Sequence, residues 1–210
     1  MGCSPGDTEC DSDEKPTRQV EIPGGLWLGQ TPVTVGAWKK YRAATGQPSL
    51  RSADLYGRKL NEAAGDDNLP AVAMTWDEGK DYCEWSGGRL PTEDEWLAAA
   101  AGEKTRRYPW GDTGAVCRRA AWGLATGPCA WGAQQPELAG AHPDGASPEG
   151  VLDLAGNVAE WAVAADGSAE VRGGSFADGA ASALRSWQRH ALSPDTRSPQ
   201  VGFRCAQSAP

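Results

Sequence analysis

Isoleucine occurs once in these 210 residues, and phenylalanine and histidine twice each. With 14 Leu, 1 Ile, 10 Val and 2 Phe, the large aliphatic and phenyl side chains fill about an eighth of the chain. A core of packed aliphatic strands is therefore excluded. Such scarcity signals disorder only beside a high net charge, and the formal charge is a modest −8. No run of about 18 apolar residues is present, so no membrane insertion is expected. A basic face is missing too, because 28 acidic residues outnumber 20 basic ones. That argues against nucleic acid as a partner. No Cys-x-x-Cys spacing occurs, and only His142 and His190 could add imidazole, so a structural zinc site is not expected.

What is present compensates. Ten Trp can each bury on the order of 150–250 Å². The 27 Gly and 15 Pro are a fifth of the chain and imply many turns between short elements. These numbers describe a folded, loop-rich single domain over 1–210, with a core of indoles and small residues.

Six Cys is an even number, and a loop-rich chain gains from cross-links. The expected pairs are Cys3–Cys10 as a local clip, Cys117–Cys129 closing a long loop, and Cys83–Cys205 tying a helix to the last strand. The alternative is six free thiols. Disulfides imply an extracytoplasmic location (periplasmic, surface or secreted). The opening Met1–Cys10 run has no basic start and no apolar core, so no leader is read there. Either the natural leader is missing from this chain or the domain was cut from a longer protein. Cys3 without a preceding apolar run is not read as a lipid anchor.

Along the chain, residues 1–18 are polar and acidic. Gln19–Ile22 and Leu26–Thr31 read as short strands around Pro23-Gly24-Gly25. Thr34 caps a helix near 35–45, where Val35, Trp38 and Tyr41 share one face, and Gly46 ends it. Residues 47–68 read as an irregular loop. Thr75-Trp76-Asp77-Glu78 and Thr92-Glu93-Asp94-Glu95 are two capping boxes, each starting a further helix. Trp85 and Trp96 are expected to anchor these helices on the core. Residues 105–149 form a long loop region that Cys117–Cys129 would pin. Later strands are expected at Asn157–Ala162, Ala169–Phe176, Ser182–Arg189 and Gly202–Ala206. Strands, then helices, then loops, then strands again, without βαβ alternation, indicate an α+β fold.

Six ordered motifs add a family resemblance: residues 76–85 (WDEGKDYCEW), 88–96 (GRLPTEDEW), 108–112 (YPWGD), 150–161 (GVLDLAGNVAEW), 172–176 (RGGSF) and 202–205 (GFRC). Together the chain resembles the formylglycine-generating-enzyme/sulfatase-modifying-factor domain, a branch of the C-type-lectin-like fold. The resemblance implies two main helices, a small antiparallel sheet, long structured loops and a Cys83–Cys205 disulfide.

It also raises an activity. The founding enzymes resemble copper(I)–dithiolate oxidases, with two cysteines between the Gly-Gly-Ser and Gly-Phe-Arg motifs. Copper(I) demands soft thiolates, yet Ser175–Arg204 contains none. The corresponding positions fall on Asp178 and Ala183, or near Ala181 from the other side. No copper is expected, and the chain is read as non-catalytic. An oxidase or divergent enzyme on the same scaffold is the alternative. Relatives that form sulfoxides on histidine derivatives use three histidines at iron, which two separated histidines cannot supply.

Asp153, Gly156, Val158 and Glu160 match positions that bind one calcium in family members. Two carboxylates and two backbone carbonyls are hard oxygen ligands of the kind calcium requires, and the ion's role would be structural. The competing reading pairs Glu160 with an arginine and Asp153 with the loop backbone.

Residues 172–205 alternate fixed and apparently unconstrained positions. This cadence resembles the variable region of ligand-binding proteins diversified by diversity-generating retroelements. The resemblance makes Ala177, Asp178, Gly179, Ser182, Trp187, Gln188, His190, Leu192, Thr196, Ser198 and Gln200 candidate ligand contacts. An exposed Trp187 beside His190 and Leu192 would be their hot spot. Arg172, Arg185, Arg189 and Arg204 read as structural. The expected partner is a protein or other macromolecular ligand, bound by a monomer. An accessory structural domain of a larger bacterial protein, attached to a kinase or a lipoprotein, accounts for the same residues.

Overall fold

The computed structural model describes residue 22 and residues 24–209. Most of the expected Gln19–Ile22 strand and the Cys3–Cys10 clip lie outside the described residues.

The N-terminal half is governed by local chemistry. β1 (Leu26–Leu28) leads to α1 (Val35–Thr45). Thr34 caps α1 by accepting from the Ala37 amide at 3.3 Å. Gly46 closes it in the left-handed region at φ 75°, a conformation that costs a residue without Cβ nothing. Both capping boxes form, at the starts of α2 (Trp76–Trp85) and α3 (Glu93–Ala101). Each satisfies amides that the first helical turn cannot pair internally.

Aromatic rings fill the space between α1 and α2. Trp38 stacks on Tyr82 at 5.7 Å and meets Phe203 edge-on at 6.1 Å. Trp96 and Trp161 are fully buried. Trp96 anchors α3 as expected. Trp85 does not anchor α2: it is 45% exposed and rests its ring on Tyr41 and Tyr82.

Two small sheets complete the fold, one within the C-terminal half and one that returns to β1. β2 (Ala159–Val163), β3 (Ala169–Arg172), β4 (Arg189–Ala191) and β5 (Val201–Gly202) form one sheet in the order β4-β3-β2-β5. β6 (Ala206–Ser208) pairs antiparallel with β1. The fold is α+β as expected, with helices at the three places the capping signals mark. The larger sheet is not wholly antiparallel, because β2 and β5 run parallel. The strand expected at Ser182–Arg189 is replaced by a 3₁₀ turn at Ala181–Leu184 followed by irregular chain. Leu184, Arg185, Ser186 and Trp187 are all buried in succession, which the alternating faces of a half-exposed strand do not allow.

Both described disulfides are those expected, Cys83–Cys205 and Cys117–Cys129. Among the described residues no helix is long and apolar enough to cross a membrane.

Candidate functional site

A cleft of about 310 Å³ opens beside the end of β3, the β4 strand and the loop that returns to β5. Seven of the eleven candidate contacts line it: Asp178, Gln188, His190, Leu192, Thr196, Ser198 and Gln200. Their convergence separates a shared surface from a scatter of loop residues. Ala177 and Gly179 are exposed and Ser182 is half-buried, and none of the three lines the cleft. Trp187 is a correction. It is 2% exposed and packs with Leu97 and Ala101 of α3. An indole that fills the core is not a surface hot spot.

The floor escaped the sequence reading. Ala159, Val171, Gly173, Gly174 and Val201 supply it. The Gly-Gly pair was the available signal. A Cβ on Gly173 would stand 3.0 Å from Trp96 and from the Leu154 carbonyl, and one on Gly174 only 2.6 Å from the Ala183 carbonyl. Both residues also have positive φ. Only glycine lets β3 leave the sheet here and turn into the cleft wall.

Each wall is held from behind. Ser175 donates to Asp178 Oδ2 from its amide at 2.7 Å and from its hydroxyl at 2.9 Å. Gln188 Oε1 accepts from Arg185, and its amide nitrogen lies 3.4 Å from His190 Nε2. The 194–200 loop is tied to the start of α2. The Trp76 amide donates to the Pro194 carbonyl at 2.9 Å. Arg197 forks onto both oxygens of Glu78 at 2.6 and 2.7 Å. Burial pushes the Glu78 carboxyl up, but the Arg197 guanidinium and the Thr75 cap together hold it below its ordinary value.

In the cleft lining, Arg172 is buried between two glutamates. Its Nε bonds Glu170 and one Nη lies 3.3 Å from Glu93. Arg189 approaches the same glutamates at 3.7 and 3.8 Å. Burial dominates at Glu170 and raises its pKa, with the arginines opposing.

The calcium set behaves otherwise. Glu160 is fully buried, and Arg204 forks onto its two oxygens at 2.6 and 2.7 Å. The Trp96 indole donates to the same Oε2 at 2.9 Å. Asp153 Oδ2 accepts from the Gly140 amide at 2.6 Å, and Asn157 Nδ2 lies 3.5 Å away. Burial raises the Asp153 pKa. As a set, Asp153, Gly156, Val158 and Glu160 do not fit a calcium ion. Three N–H donors already converge on Glu160, and the two from Arg204 bring the positive charge that an ion would supply.

The motifs that build this cleft and its buried acid–base pairs also identify the family. The sulfatase-modifying factor enzyme 1-like domain model matches residues 2–209. The chain belongs to this family. Among its relatives, the inactive C-alpha-formylglycine-generating enzyme 2 of Bos taurus is 39% identical over 67% of this chain and 51% of its own. The formylglycine-generating enzyme of Streptomyces coelicolor is 33% identical over 71% of this chain and 56% of its own. The chain thus spans about half the length of these curated relatives. PvdO from Pseudomonas aeruginosa superposes with a TM-score of 0.79 at 25% identity, covering 99% of this chain and 90% of PvdO. The Treponema denticola variable protein 1 superposes with a TM-score of 0.65 at 21% identity, covering 87% of this chain and 84% of that one. That likeness is one of fold. This sulfatase-modifying-factor domain therefore shares its scaffold with a formylglycine-generating enzyme, an inactive relative and a variable protein.

Proposed function

We propose that this domain is a non-catalytic recognition module that binds a protein ligand in the cleft between β3, β4 and the 194–200 loop. The observation that carries this reading is the convergence of seven candidate contacts on one walled cleft. The cleft offers no thiol, while the described cysteines are paired as disulfides elsewhere. Disulfides persist in oxidising compartments, which supports an extracytoplasmic location. Two of the braces, Arg185 and the Arg197–Glu78 fork, lie outside the cleft lining, which supports a rim whose side chains can change without loss of the scaffold. That separation is what a diversified binding surface requires. Calcium is no part of this proposal.

Displaying the domain with positions 178, 188, 190, 192, 196, 198 and 200 randomised tests the reading. Most members should unfold cooperatively within about 3 °C of the parent, and selection against hen lysozyme should yield binders. A library that largely fails to fold would overturn the proposal. Turnover of a cysteine-containing sulfatase peptide on copper(I) titration would restore the oxidase reading. In neighbouring DNA, a reverse transcriptase and a near-copy of the last ~100 bases would mark the segment as diversified.

A further inference from the structure

We infer, resting on the recognition reading above, that the cleft takes the side chain of an arginine or lysine presented by a protein partner, with Asp178 as its counter-ion. Three ionisable residues line the cleft: Arg172, Asp178 and His190. The charge of Arg172 is already met by Glu170 and Glu93, and Arg189 completes a neutral group of two acids and two bases. Arg197 on the loop wall is likewise neutralised by Glu78. Arg185 does not line the cleft, and its donors reach the Ser182 carbonyl and Gln188 Oε1.

Asp178 differs from all of these. Both donors from Ser175 fall on Oδ2, and Oδ1 accepts no hydrogen bond from the described residues. One edge of the carboxylate is thus fixed in direction while the other stays uncommitted, so an incoming cation meets an oriented acceptor. Val171, Val201 and Leu192 form an apolar lining that suits the methylene stem behind a charged head. A volume of about 310 Å³ admits one long side chain rather than a folded segment. An acidic occupant would meet like charge. A wholly apolar one would strip water from Asp178 without replacing its hydrogen bonds, which is costly. A guanidinium is favoured over an ammonium because its planar fork can meet Oδ1 and a neighbouring acceptor together.

The test is an amide-resolved NMR titration of the whole chain with capped amino acids. N-acetylarginine methylamide should shift the Asp178, His190 and Leu192 amides and bind at least about threefold tighter than its neutral citrulline counterpart, the modest ratio a part-exposed charge pair supports. In Asp178→Asn that ratio should fall to about one, with the unfolding midpoint unchanged. Equal binding of the arginine and citrulline probes by the parent, or a preference for N-acetylglutamate methylamide, would overturn the inference while leaving the recognition reading standing. Free arginine binding more tightly than the capped form would overturn the assignment to a protein side chain. If no probe moves those amides at any concentration reached, this inference fails, and the randomised library alone decides the recognition reading.

Discussion

Glu160 and Asp178 are both carboxylates fixed by hydrogen bonds near the ends of the same sheet, yet their surroundings are opposite. Glu160 is sealed. Arg204 and Trp96 occupy its oxygens, and the same guanidinium reaches the carbonyls of Gly29, Gln30 and Leu152 at 2.7, 3.3 and 2.8 Å. Asp178 is held along one edge only and faces a cleft. The difference separates two uses of charge. Enclosed, a carboxylate organises the chain around it; half-enclosed, it stays available to something outside the chain.

The largest predicted effects test the sealed side. Arg204→Ala should lower stability by about 3–5 kcal/mol, because it strands a buried carboxylate. For a chain of this size that is roughly 6–20 °C in melting temperature. Trp187→Ala should cost about as much through the cavity it leaves. Asp178→Asn and His190→Ala should each stay within about 0.5 kcal/mol. A Trp187 variant that unfolds like the parent would erase the distinction between core and rim.

Next comes cross-linking, measured by chemical denaturation of cysteine-to-alanine pairs. Cys83–Cys205 spans 122 residues and Cys117–Cys129 spans 12. By loop-closure entropy the first contributes about 4–5 kcal/mol and the second about 3. A reversed order would mean that pinning the long-loop region contributes more than closing the larger loop, against the entropic expectation.

The cleft wall sharpens the contrast at a smaller scale. Glu78→Gln should cost about 1–2 kcal/mol by weakening the Arg197 fork. Glu78 and Glu95 both have carboxyls held below their ordinary value of 4.5: burial opposes, but an arginine fork and a cap outweigh it. Their stabilising contribution is complete above that value and is lost as pH falls toward the lower folded value. Asp153 and Glu170, raised by burial, run the other way and weaken the fold as pH rises past their ordinary range. Acid unfolding of Glu78→Gln should therefore show less pH dependence near pH 4 than the parent. The smallest expected effect is chelation: EDTA should move the melting temperature by less than about 2 °C. A larger drop would mean that an ion, not Arg204, holds the 153–160 loop.

Legibility in the sequence followed the range of the forces involved. The three helices could be placed almost to the residue because capping boxes and an N-cap threonine act within four positions. Both described disulfides were readable from cysteine placement and the family motifs. Ser182–Arg189 was not, because its course is set at long range. The Ser186 amide donates to the Arg107 carbonyl, and Trp187 lodges against α3. Alternation in the letters could not reveal a segment buried on every side. The cleft rim was legible as a set of positions but not as a shape. Its floor depends on glycines whose neighbours come from residues 96, 154 and 183.

The reach of Arg204 has a kinetic corollary. One side chain joins residues 29–30, 152 and 160 to the penultimate stretch of the chain. Releasing any one of these segments loosens the grip on the others. Backbone amides in all of them should then exchange with deuterium as a single unit, at a rate set by global rather than local opening. The protein would behave less like stacked layers than like a bundle drawn tight by one knot.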